Sequence, residues 1–207
     1  MPYFKNQKLL FIHIPKTGGT SVENYFSKRC NIKLDNSSLY GFLKKQTNII
    51  INSSMQHMTY KTILKYKEDF DIEFENVKIL TIVRNPYERI ISDMFFLKKI
   101  NINTSKKDVY DVINKYILSD DVDNHNIPQY KFITDNDEII PNIYILHTEN
   151  LCNDMHNIGY NDFNIHIQKN IKNVDYYEYL NNDSIKLINS FYHEDFMLFN
   201  YKKKDTI

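Results

Sequence analysis

Glycine, proline and cysteine are scarce in this chain and tryptophan is missing: 4 Gly, 5 Pro, 2 Cys and no Trp among 207 residues. The two cysteines, Cys30 and Cys152, are far apart and form neither a disulfide framework nor a zinc-ligand spacing. They read as free thiols of a reducing compartment. Long hydrophobic runs are also lacking. The N-terminal LLFIHI is far shorter than the ~20 residues of a spanning helix, and its flanks are not those of a signal peptide. A cytoplasmic protein without membrane anchor is therefore expected. Charge of one sign is not in excess, because 26 basic and 26 acidic residues cancel. Partners held by bulk charge, nucleic acid above all, are thereby excluded. A small anion stays possible, since it needs only a local basic site.

Core material, by contrast, is plentiful: 42% of residues are hydrophobic, with 13 Phe and 16 Tyr. A chain of this length can bury a continuous core without staples, and a single domain over 1–207 is expected, with 202–207 a flexible, solvated tail. The heavy use of Asn, Ile and Lys reads as codon bias of an AT-rich genome. Short apolar runs at Lys8 to Ile14, Lys78 to Val83 and Ile143 to Leu146 read as buried strands, and Asn48 to Ser53 as a further short one. Helical patterns run from Thr20 to about Lys28, Thr59 to Tyr66, Pro86 to about Lys99, Val109 to Leu118, Leu151 to about Ile158 and Ile185 to Tyr192. Residues 100–107 read as loop, and 161–183 gives no clear pattern. Strands alternating with helices imply βαβ units and a mainly parallel sheet covered on both faces.

With so few glycines, the pair at 18 and 19 stands out. LLFIHIPKTGGTSVENYF places a buried strand, then Lys16, Thr17, Gly18 and Gly19, then a helix opened by Thr20 and Ser21. Glycines let backbone N–H groups approach an anion, a helix N-terminus adds unpaired donors and partial positive charge, and Lys16 adds a full charge. The order is not the G-x-x-x-x-G-K-[ST] of a Walker A loop, because the lysine precedes the glycines. The fold class expected is thus α/β: a P-loop-NTPase-like three-layer fold, with a mainly parallel central sheet flanked by helices. A second candidate anion site follows the next strand in TIVRNPYERIISDMFF. Arg84 stands at the strand end, where open parallel sheets bind ligands, and its planar fork suits a phosphate. Ser92 lies in the helix that follows. Two phosphate sites fit a nucleotide with phosphates at both ends.

These two segments resemble the sulfotransferases that use 3′-phosphoadenosine 5′-phosphosulfate (PAPS), especially the branch acting on carbohydrates such as heparan and chondroitin. The resemblance implies that IPKTGGTS is the 5′-phosphosulfate loop. Lys16 would contact the bridging oxygen and sulfonate, and the backbone and hydroxyls of Thr17 to Ser21 would hold the 5′-phosphate. Arg84 and Ser92 carry over as 3′-phosphate ligands, while Arg89 is expected in a structural ion pair. Weaker likenesses continue through NHNIPQYKFI, IYILHTENL and FYHEDFMLF, to about residue 200.

Sulfuryl transfer is an in-line displacement at sulfur, so the attacking hydroxyl must lose a proton. Among seven histidines, His57 in SSMQHMTY is the candidate base: it titrates near neutrality, and its segment resembles the His-containing motif of the carbohydrate branch. Lys16 and the helix N-terminus would stabilise the leaving phosphate. His125 and Gln129 are the candidates for acceptor contact. His13 reads as structural and Glu23 as solvated. No metal-ligand cluster is seen, and no metal is expected. The leading expectation is PAPS-dependent transfer to a hydroxyl acceptor, a sugar by preference. The rivals are a P-loop-like nucleotide kinase and a non-catalytic nucleotide-binding protein on the same fold.

Overall fold

The computed structural model of the chain describes residues 3–35, 53–120, 123–164 and 175–206. Its centre is a four-stranded sheet in the order β1-β2-β3-β6: β1 (Tyr3–Phe4), β2 (Leu9–Ile12), β3 (Lys78–Val83) and β6 (Ile143–His147). β1 is antiparallel to β2, while β2, β3 and β6 run parallel, with Leu10 opposite Ile79 and Thr81 opposite Ile145. A small hairpin, β4 (Thr134–Asp135) with β5 (Glu138–Ile139), stands apart. The helices are α1 (Gly19–Cys30), α2 (Tyr60–Lys65), α3 (Pro86–Phe96), α4 (Lys106–Ile117), α5 (Leu151–Asn157), α6 (Asn182–Phe191) and α7 (His193–Leu198).

Both faces of the sheet are covered, which is why its central strands are apolar at nearly every position. Side chains alternate across a strand. Leu9, Phe11, Leu80 and Ile82 accordingly pack with Val22 and Phe26 of α1 and Leu151 and Met155 of α5. Leu10, Ile12, Ile79 and Val83 face the other way, into Met58, Ile63, Phe132, Ile140 and Phe199. A third cluster joins Ile90, Ile91 and Met94 of α3 to Ile113, Ile185 and Phe196. Local signals start the helices: Asn85 accepts from the Tyr87 N–H with Pro86 in the first turn and Thr59 caps α2, both where expected, while Ser105 caps α4, which starts three residues ahead of the expected Val109, inside the stretch read as loop.

The expected parallel α/β sheet is present, with some differences. The last expected helix, Ile185 to Tyr192, starts earlier, as α6, and a further helix, α7, follows it. The two-residue strands β1, β4 and β5 have no pattern long enough to read. Of the expected strand at 48–53, residues 48–52 lie outside the described residues. The terminal residues 202–206 are exposed, yet Lys204 is fastened at both ends of its backbone, accepting from Asn189 Nδ2 at 2.8 Å and donating to Tyr87 Oη at 2.9 Å. No helix among the described residues is long and apolar enough to cross a membrane. The parallel register brings the C-terminal ends of β2, β3 and β6 side by side, and the segments that leave them build the site.

Candidate active site

The loop that leaves β2 is held by its carbonyls. Ile14 accepts from the Thr17 hydroxyl (2.8 Å), Pro15 from Arg89 Nε (3.1 Å), Lys16 from Arg84 Nη1 (3.3 Å) and Thr17 from the Thr148 hydroxyl (2.6 Å). Thr148 and the two arginines follow the neighbouring strands, so the sheet's parallel order is what fixes the loop. Gly18 takes a φ of 86° and Lys16 one of 66°, a left-handed conformation uncommon for a lysine. At Gly19 the need is space: a Cβ there would lie 2.4 Å from the His13 ring. The first N–H groups of α1, from Gly19 onward, have no partner within the helix. Thr20 is exposed and Ser21 buried at the helix start. Thr17 departs from expectation, since its hydroxyl is turned inward to Ile14 and fully buried; only its backbone can serve a ligand. The Lys16 ammonium lies 3.8 Å from the centroid of Phe96. Burial holds it below the usual lysine range, against the pull of Asp93 and with a further push from Arg84.

Arg84 lies beside that loop. Besides the Lys16 carbonyl, its guanidinium meets Glu88 Oε2 at 3.0 Å and lies 5.1 Å from the Tyr176 ring centroid, while its buried Nε has no hydrogen-bond partner among the described residues. A buried guanidinium donor left open is costly unless something accepts from it. Ser92 is buried within the second turn of α3. The ion pair expected of Arg89 is not found among the described residues. Arg89 donates to three carbonyls, those of Pro15, Ile127 (3.0 Å) and His125 (2.8 Å), and so ties the 125–127 segment to the loop. Gln129 is fully buried, and its side-chain amide pairs with the Arg84 backbone in both directions at 2.9 Å. Its geometry makes it a brace for Arg84.

Three histidines line up beside the loop, each with its own carboxylate. His13 Nδ1 meets Glu23 Oε1 at 2.7 Å, His57 Nδ1 meets Asp123 Oδ2 at 2.8 Å, and His125 Nδ1 meets Asp93 Oδ1 at 2.7 Å. Their rings stand edge to face, with centroids 5.2 Å apart for His13–His57 and 5.0 Å for His57–His125. A carboxylate only accepts, so each Nδ1 carries a proton, and in the neutral ring Nε2 keeps its lone pair. Glu23 is not the solvated carboxylate expected of a helix surface. It is 1% exposed and also accepts from Gln56 Nε2 at 2.8 and 3.0 Å. Burial lowers the pKa of His57, the Asp123 hydrogen bond raises it, and the charges of His13 and His125 lower it further; the net direction is down. Asp123 is raised by burial, but its bond to His57 and the Ser54 N–H at 2.6 Å bring it below the ordinary carboxylate range.

Donor atoms of His57, Asp123 and His125 lie within 4.8 Å of one another, a grouping able to hold a metal ion. The expectation of no metal-ligand cluster missed it, because His57 is 66 residues or more from Asp123 and His125 in sequence. Hydrogen bonds to Asp123 and Asp93 already account for the orientation of both rings. Sequence reasoning also passed over Asp93 and Asp123. Asp93 is buried, accepting additionally from Tyr116 Oη at 2.5 Å; a carboxylate on the apolar face of α3 was the available signal. Compared with known families, residues 3–202 match the Sulfotransferase family, and the chain belongs to that family. No curated protein and no solved structure matches it.

Proposed function

We propose that this family member moves a sulfuryl group from PAPS to a hydroxyl acceptor, a carbohydrate, with His57 as the base. On this reading the whole chain acts as one catalytic domain, and β2, the loop and α1 form a P-loop-like cradle. The backbone N–H groups of Thr17 to Thr20, with the Ser21 hydroxyl, bind the 5′-phosphate, and Arg84 with Ser92 binds the 3′-phosphate. The open Arg84 Nε supports the latter. The acceptor oxygen attacks sulfur in line and its proton passes to His57 Nε2. The bond between sulfur and the 5′-phosphate oxygen breaks, and its electron pair leaves on 3′-phosphoadenosine 5′-phosphate (PAP), stabilised by Lys16 and the start of α1. Asp123 holds the proton on Nδ1, so that Nε2 is the atom that accepts. His125, next to His57 and half-stacked on exposed Phe96, faces the acceptor.

One observation carries this reading: the His57–Asp123 pair stands one ring away from His13, and His13 is the ring against which Gly19 of the phosphate loop closes. Base and anion cradle are thus parts of one assembly. Calorimetry in EDTA tests it, with PAP and ATP–Mg (the latter without EDTA) as the two ligands. PAP is expected to bind without a divalent metal and ATP–Mg not to. Binding of PAP that needs magnesium, or preference for ATP–Mg, would turn the assignment toward a kinase.

A further inference from the structure

Phe96 holds neither phosphate nor proton, yet it touches both halves of the site. It closes α3 and is 54% exposed. The Lys16 ammonium lies over its ring at 3.8 Å, and the His125 imidazole lies parallel to it, 4° between planes and 5.8 Å between centroids. An ammonium over an aromatic face is held by the ring's quadrupole, which offsets part of the desolvation that Lys16 suffers. That seat and an anionic donor compete for the one ammonium group. When Lys16 turns to an anion, the ring face is bared. What then adjoins it is a polar rim: His125, and beyond it the part-exposed Asp123. A flat apolar face edged by hydrogen-bonding groups is complementary to a pyranose ring, which has C–H faces and a rim of hydroxyls.

We propose that Phe96 is a specificity-determining residue of this site: its ring seats Lys16 while no donor is bound and, once an anionic donor draws the lysine away, receives the C–H face of an acceptor sugar ring. The inference rests on the reading of Lys16 as a donor ligand. It makes donor binding the event that opens the acceptor side, and so sets the order donor first, acceptor second. It also sets a sign. The Lys16–Phe96 contact exists only in the free protein, so weakening it should tighten donor binding.

The absence of tryptophan allows a direct test, since Phe96→Trp places a sole indole at the seat. Its emission is followed while PAP is added, with calorimetry on the same sample. An emission change with the calorimetric midpoint is expected, and Phe96→Leu should bind PAP about two- to fivefold more tightly than the native protein. An unsulfated chondroitin oligosaccharide, used as a chain of pyranose rings, should then perturb the emission with PAP present and not without it. Failure of the native protein to bind PAP would remove the donor reading, and this inference with it. PAP binding seen by calorimetry but silent at position 96, with unchanged affinity in Phe96→Leu, overturns the seat alone. An oligosaccharide response that is absent, or the same without PAP, overturns the acceptor role.

Discussion

The anion loop and the histidine row lie against each other but are built in opposite ways. The loop is a contiguous stretch fixed through its main chain: the carbonyls of Ile14 to Thr17 are each taken by a side chain, three of them from the segments that follow the neighbouring strands. The histidine row is assembled from side chains of several separate segments, at positions 13, 23, 57, 93, 123 and 125, and held by three imidazole–carboxylate pairs. Main-chain anchoring tolerates side-chain change in the residues anchored. Side-chain pairing does not, because removing one partner leaves a buried polar group unpaired. The loop should therefore govern affinity for the nucleotide and the histidine row the rate of transfer.

The sharpest way to break this division is His57→Ala. Turnover with PAPS and a sugar acceptor should fall about 10²–10⁴-fold, while PAP affinity by calorimetry stays near native. Equal losses in both would merge the two regions into one. Arg84→Ala tests the other side: losing a charge-assisted bond should cost about 1.5–3 kcal/mol, felt more by PAP than by adenosine 5′-phosphosulfate, which lacks the 3′-phosphate and shares only the loss of the Lys16 carbonyl anchor. Parallel weakening of both nucleotides would place Arg84 elsewhere.

A finer test separates the base from its support. Because burial holds the His57 pKa down, the ring stays neutral to lower pH than an ordinary histidine. Activity should thus be lost only as pH falls through that lowered pKa, below about 6.5. Asp123 pulls the pKa up, so Asp123→Ala should move the acid limb of the rate profile to still lower pH. It should also lower the plateau by less than His57→Ala does, since the second proton position is freed but the base remains. A limb that moves upward would contradict the pairing. The smallest effect expected is from Thr148→Val, which removes the hydroxyl donating to the Thr17 carbonyl. PAP affinity should drop by about 0.5–1.5 kcal/mol, the net worth of one hydrogen bond, with kcat unchanged.

The same contrast explains what could be read from the sequence. The loop was legible because its strand, lysine, glycines and helix start are consecutive, and a parallel sheet puts such a segment at a predictable edge. Arg84 was legible for the same reason. His57 was singled out as the candidate base through its surrounding motif, but its partner was not. Asp123 lies 66 residues away in a stretch without periodicity, and only the fold makes them neighbours. Glu23 misled because a carboxylate on a helix is usually solvated; its burial depends on His13 and Gln56 arriving from elsewhere. Phe96 was not singled out, because it lies off the buried face of α3 formed by Ile90, Ile91 and Met94, exposed at the helix end.

The four anchored carbonyls have a kinetic consequence. A segment whose backbone is already fixed has little freedom left to lose when an anion docks, so the entropic penalty of ordering a flexible loop, about 1–2 kcal/mol for each residue immobilised, falls on folding and not on the encounter. Nucleotide capture then needs no loop search. Its rate should be governed by diffusion and by the local positive field of Lys16, Arg84 and the α1 terminus, and should slow as ionic strength rises.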